Sequence, residues 1–146
     1  MRLATAHDLP ALVALVRQYW EFEELAGFEA LRIECTLRRL IETPALGALW
    51  VADESGSLTG YLIVVHVISL EHGGVMGEID EFFVRPGHRG AGVGSRLLTA
   101  AEAGLHARGG LRLQLQIALG NTAARTWYEA RGFVPRSGFE LLDKPL

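Results

Sequence analysis

Residues 78–98 constrain this chain most. Glu78-Ile79-Asp80-Glu81-Phe82-Phe83-Val84 reads as a strand, Arg85-Pro86-Gly87-His88 breaks it, and Arg89-Gly90-Ala91-Gly92-Val93-Gly94-Ser95 opens a helix. Glycines at 90, 92 and 94 let the backbone bend without a Cβ penalty. Successive N–H groups can then converge at a helix start, where the helix dipole favours an anion. The spacing predicts a phosphate cradle, followed by a right-handed helical crossover into a strand parallel to the first.

Such a turn also serves nucleoside triphosphates and dinucleotides. Here no Gly-Lys-Ser/Thr completes a P-loop, and no ribose-reading acid stands about 20 residues on, as a dinucleotide fold requires. The spacing Arg89-x-x-Gly92-x-Gly94 instead resembles the acyl-CoA loop of the GNAT superfamily of N-acetyltransferases. A second block, Asn121-Thr-Ala-Ala124-Arg-Thr-Trp-Tyr128-Glu-Ala-Arg-Gly132-Phe133, resembles that superfamily's later motif in the order expected. The resemblance covers residues 58–134 well and the N-terminal third in outline. It implies a GNAT-like α/β (α+β) fold: one domain over residues 1–146, with a mixed, centrally splayed sheet of about seven strands flanked by four helices.

Composition sets the bounds. A chain of 146 residues suits one domain able to bury about 70% of its unfolded surface. Its longest apolar run, Tyr61 to Leu70, is interrupted by His66 and is far short of the ~20 residues of a spanning helix. No signal or targeting pattern is read, so a cytoplasmic protein with no membrane partner is expected. The single cysteine, Cys35, allows no intrachain disulfide and is expected to be a buried hydrophobe rather than a nucleophile. The five histidines lack ligand spacing, and no metal is expected.

Charge is unevenly placed. Residues 1–81 hold 13 acids and 5 Lys/Arg, a balance of −8, whereas residues 82–146 hold 4 acids and 9 Lys/Arg, a balance of +5. The glycine turn thus lies in the basic half, as an anionic cofactor requires. The acidic half is expected either to be a solvated surface or to face a cationic partner. Glu21, Glu23, Glu24 and Glu29 cluster between two predicted helices, as a solvated linker or an acceptor-site rim.

Along the chain, Arg2–Ala6 is a plausible first strand, and Thr5-x-x-Asp8 resembles a capping box ahead of apolar positions 9, 12, 13, 16, 19 and 20. Apolar 33, 37, 40 and 41 mark a second helix that ends at Thr43-Pro44. Residues 48–52, 58–69 and 78–84 read as a three-stranded meander, with Asp53–Ser57 as a hairpin turn. A helix lined by Leu97, Leu98, Ala101 and Leu105 stops at Gly109-Gly110. Leu111, Leu113, Leu115 and Ile117 alternate with polar residues in a further strand. A helix from Thr122 to Arg131 follows, and Phe133-Val134 and Phe139–Leu142 are expected to finish the sheet.

Acetyl transfer to an amine needs an unprotonated amine, a carbonyl held close to it, and a proton for the departing thiolate. The superfamily resemblance implies that Phe82, Phe83 and Val84 pair with the pantetheine arm of acetyl-CoA. It implies that Arg89, Gly90, Ala91, Gly92, Val93, Gly94 and Ser95 hold the pyrophosphate, with Asn121 and Ala124 beside the cofactor. Tyr128 takes the general-acid position, and its alternative is an aromatic packed beside Trp127; Asn121 alternatively caps its helix. The run Asp80-Glu81-Phe82-Phe83-Val84 is similar to the acidic pair before Phe-Phe-Val in spermidine/spermine acetyltransferases, which carries the amine-contacting role to Asp80, with Glu81 and Glu78 as alternates. In a regular strand Glu78, Asp80 and Phe82 point one way and Ile79, Glu81 and Phe83 the other; a bulge would change that register.

The reading that follows is an acetyl-CoA-dependent N-acetyltransferase acting by direct transfer on a small, cationic amine, with no nucleic-acid partner and a homodimer left open. A protein or peptide N-terminal acetyltransferase and a non-catalytic acyl-CoA sensor are the rivals.

Overall fold

The computed structural model describes residues 1–138 and 140–145, which divide into two compact units, Met1–Leu115 and Gln116–Leu146. The first unit runs β1 (Arg2–Leu3), α1 (Leu9–Phe22), α2 (Ala30–Glu42), β2 (Gly47–Glu54), β3 (Ser57–Ser69), β4 (Gly74–Val84), α3 (Val93–Ala107) and β5 (Arg112–Leu115). The second contains α4 (Thr122–Glu129).

Local chemistry explains the boundaries. Asp8 accepts from the Thr5 N–H at 2.7 Å and from both terminal nitrogens of Arg2 at 2.7 and 2.8 Å, so the chain turns from β1 into α1 around one carboxylate. Leu9, Leu12, Leu15 and Val16 then recur at helical spacing and are buried. The β2–β3 hairpin turns on Ser55 and Gly56, both at positive φ, with the Asp53 carboxylate accepting from the Gly56 N–H at 2.9 Å. Two consecutive left-handed residues match the twist of a two-residue hairpin.

The five strands form one sheet in the order β1-β2-β3-β4-β5, antiparallel except for the parallel pair β4–β5. Alternation along β3 separates two layers. Tyr61 and Ile63 join Leu49, Val51 and Phe83 in a core beneath α1 and α2. On the other face α3 approaches so closely that a Cβ on Gly104 would lie 2.5 Å from the Trp50 ring, and one on Gly77 2.8 Å from Leu105.

Two expectations are corrected. The sheet has five strands among the described residues, not about seven. Phe133-Val134 forms no strand: the Phe133 N–H bonds to the Tyr128 carbonyl, and Pro135 has no N–H to offer a ladder. Glu140 to Leu142 is irregular, with Leu141 and Leu142 69% and 83% exposed, so no burial rewards pairing there; Phe139 lies outside the described residues. Cys35 is exposed rather than buried. It lies off the stripe formed by Ile33, Leu37, Leu40 and Ile41, which is the face α2 turns toward the core.

Candidate active site

A single extra residue organises the acids of β4. β3 and β4 pair in register from Ser69/Gly74 to Val64/Ile79, and again from Ile63/Glu81 to Gly60/Val84; Asp80 is the residue left over. This is a β-bulge, a feature common beside active sites because it re-aims side chains. Glu78 stands opposite Val65 and Glu81 opposite Ile63, two residues of the same face of β3. The bulge therefore puts Glu78 and Glu81 on the α1/α2 side together, where a regular strand would have separated them.

The three carboxylates have different surroundings. Glu81 is clamped: Trp20 Nε1 donates to one oxygen at 3.0 Å and the Tyr61 hydroxyl to the other at 2.7 Å. Burial raises its pKa, and the two donors offset only part of that rise. Glu78 accepts from Gln114 Nε2 on β5 at 2.8 Å. Asp80 has no hydrogen-bond partner among the described residues. Solvent reaches it, yet desolvation by the surrounding protein and then the Glu78 charge raise its pKa from the ordinary aspartate value.

Aromatic groups wall this region. Tyr19 is pushed up to about 12 by burial, then by Glu81, Glu23 and Asp80, so its phenol stays protonated. Tyr61 is fully buried and is pushed higher still by burial and by Glu81. Phe83 has Tyr19, Phe22 and Tyr61 around it, with ring centroids 6.0–6.5 Å away.

The parallel ladder between β4 and β5 starts at Met76/Arg112 and ends at Ile79/Leu115, one residue before the bulge. β4 continues to Val84 and delivers the chain, through a 3-10 turn at Pro86–His88, to the glycines. Gly90 and Gly92 have φ of 79° and 75°, which L side chains rarely adopt, and Gly92 starts α3 with no side-chain cap. Val93, buried below, anchors the turn, and His88 Nδ1 lies 3.2 Å from Glu54 on the β2–β3 hairpin. A Cβ on Gly92 would sit 3.3 Å from Arg96 Nη1, the far end of a flexible side chain, so it is the left-handed φ that asks for glycine at this helix start. The residues present fit a diphosphate: an uncapped helix N-terminus, left-handed glycines and a cation beside them.

That cation is Arg96, whose Nη1 donates to the Ala91 carbonyl at 3.0 Å. Arg89, the arginine of the motif, turns elsewhere. Its Nε donates to the Val84 carbonyl at 2.8 Å and its guanidinium lies over Phe22 and Phe83, 4.6 and 5.6 Å from their centroids.

In the second unit, Asn121 caps α4 by accepting from the Ala124 N–H at 3.0 Å. Tyr128 meets Trp127 and Phe133 edge to face, with centroids 5.0 and 5.2 Å apart. Gly132, at φ 88°, ends the helical turn and brings Phe133 back onto Tyr128.

Trp20, Tyr61, Tyr19, Arg96 and Gln114 were not read from the sequence as site residues. Gln114 alone had a usable signal, since it occupies the polar face of an alternating strand. Among the described residues no three His, Cys, Asp or Glu side chains are grouped to hold a metal, and no helix is long and apolar enough to cross a membrane.

Comparison with known proteins identifies the family and the fold. Residues 9–133 match the model of the Acetyltransferase (GNAT) family, a span that takes in both units. The chain is 30% identical over 143 residues, 95% of its length and 92% of the relative's, to the uncharacterized N-acetyltransferase YhfO of Bacillus subtilis. It is similar to an integron cassette protein from the mobile metagenome of Cole Harbour Salt Marsh, with a TM-score of 0.86 and 30% identity over 99% of this chain and 89% of that one. The fold is shared with a ribosomal-protein-alanine N-acetyltransferase from Brucella melitensis, with a TM-score of 0.76 and 19% identity over 99% and 98% of the two chains. The chain belongs to the GNAT family and is an N-acetyltransferase.

Proposed function

We propose that this enzyme moves an acetyl group from acetyl-CoA directly to a primary amine of a small, cationic acceptor, with both substrates bound at once. The observation that carries the reading is the end of the β4–β5 ladder at Ile79, followed at once by the Asp80 bulge and then by the uncapped helix start at Gly92. One strand thus links a place for an amine to a place for a diphosphate.

Acetyl-CoA, when bound, supplies an acetyl group activated as a thioester. The backbone of residues 90–95 would hold its diphosphate, and Phe82, Phe83 and Val84 would pair with its pantetheine arm as an added strand would. Asp80 takes the proton that the amine must lose, directly or through a water. Desolvation raises its pKa, which makes it a stronger base than a free aspartate. The Tyr128 phenol gives a proton to the departing sulfur. Direct transfer is favoured over an acyl-enzyme because Cys35, the one thiol, lies on the exposed face of α2.

A cationic acceptor is supported by the −8 balance of residues 1–81 and by three carboxylates gathered on one strand. The test is thiol release from acetyl-CoA across polyamines, amino acids, aminoglycosides and N-terminal peptides, at low and physiological salt. A cation should give the highest kcat/KM and lose some of it as salt screens the field over about 8 Å. A neutral or acidic amine preferred at all salt concentrations would overturn the acceptor class. Preference for N-terminal peptides would move the enzyme to protein acetylation, and binding without turnover on any amine would make it a sensor.

A further inference from the structure

Glu81 sits next to the proposed base but is spent on other contacts. A carboxylate used as a base must offer an oxygen to the substrate, and both oxygens of Glu81 already accept from Trp20 and Tyr61. These donors come from two different elements, α1 and β3, and converge on the residue immediately after the bulge. Tyr61 is completely buried, with Glu81 as the acceptor of its hydroxyl. An extra residue in one strand can slide or flatten unless its neighbours are pinned.

We propose that Trp20 and Tyr61 are positioning residues that lock Glu81, and that this lock fixes the bulge presenting Asp80 to the acceptor amine. The inference rests on the reading of Asp80 as the base. It makes Glu81 a structural pivot instead of an alternate base, and it makes α1 part of the catalytic framework. The lock tolerates a neutral partner of the right shape. A glutamine at 81 keeps a carbonyl oxygen whose two lone pairs can accept from the Trp20 N–H and the Tyr61 O–H, or can accept from Trp20 while its amide donates to the Tyr61 oxygen with that bond reversed, whereas an alanine leaves both groups without a partner.

The test compares kcat, acceptor KM and acetyl-CoA affinity in E81Q, E81A, the double variant W20F/Y61F and D80N, with folding checked by circular dichroism. E81A and W20F/Y61F should lower kcat at least tenfold while acetyl-CoA affinity stays within about threefold, and E81Q should recover most of what E81A loses. Equal loss in E81Q and E81A would overturn the proposal, because the charge and not the shape would then matter. Wild-type kcat in folded W20F/Y61F would overturn it as well. Should W20F/Y61F fail to fold, the Gln-against-Ala comparison at 81 decides alone. D80N tests the underlying reading separately: unchanged kcat there removes Asp80 as base whatever the lock does.

Discussion

Tyr61 and Glu81, twenty residues apart on neighbouring strands, are joined by a 2.7 Å hydrogen bond between a fully buried phenol and a carboxylate held above its ordinary pKa. The contact fixes the register of β3 against β4 at the point where Asp80 leaves the ladder. Packing, strand geometry and the disposition of acids are therefore one problem in this protein.

The turn at Gly92 gives the first prediction. Replacement by valine forces a β-branched residue into a left-handed conformation and brings a Cβ to 3.3 Å from Arg96 Nη1, at the mouth of the helix. Gly92→Val should weaken acetyl-CoA binding at least tenfold, ~1.4 kcal/mol, by calorimetry on folded protein. Unchanged affinity would remove the diphosphate role from this turn.

Arg89 and Arg96 should separate. Arg89 is committed to the Val84 carbonyl and to Phe22 and Phe83, while Arg96 closes over Ala91. Arg89→Met should raise the acceptor KM and leave acetyl-CoA affinity within about threefold; Arg96→Met should do the reverse. Loss of cofactor affinity in Arg89→Met, measured by the same calorimetry, would return Arg89 to the diphosphate.

How much of this was legible depended on range. The glycine turn, the helices and the Asn121 cap follow from residues within a few positions of one another, and each formed close to where the spacing placed it. The bulge at Asp80 did not show, because it arises from the pairing of β3 with β4 and not from β4 alone. Trp20 and Tyr61 were hidden for the same reason: each looks like one more core aromatic until Glu81 is found between them. The alternation that reads as a strand at 111–117 yielded only Arg112–Leu115, since pairing with β4 ends at Leu115. Arg89 shows a different limit: a motif gives a residue's place in the chain but not where a long side chain rests, here on the Val84 carbonyl.

Tyr128 should respond to loss of one atom. Its ring contacts with Trp127 and Phe133 are edge to face, and phenylalanine preserves both. Tyr128→Phe should therefore fold normally and bind acetyl-CoA normally while kcat falls by ~10²–10⁴, the usual contribution of a general acid. An unchanged kcat, with chemistry shown to be rate-limiting, would assign protonation of the leaving sulfur to water or another group.

Acid stability should trace to the junction of β1 and α1. Asp8 is 9% exposed, accepts from Arg2 and Thr5, and is held far below its ordinary pKa of 3.8, first by the Arg2 hydrogen bond. A carboxylate whose folded pKa is depressed contributes stability that is fully present above its unfolded pKa and is lost as pH falls toward the folded value. Asp8→Asn removes the charge and should cost about 1.5–3 kcal/mol at pH 7, the range for hydrogen bonds to charged groups. Urea unfolding of both proteins from pH 7 to pH 2 should show the gap holding down to about pH 5 and narrowing below it, as the Asp8 carboxylate of the unfolded wild-type chain takes up its proton while the folded one stays ionised. A gap that stays constant to pH 2 would mean that Asp8 acts through shape and not through charge. A gap that closes well above pH 5 would point to another titrating group at this junction.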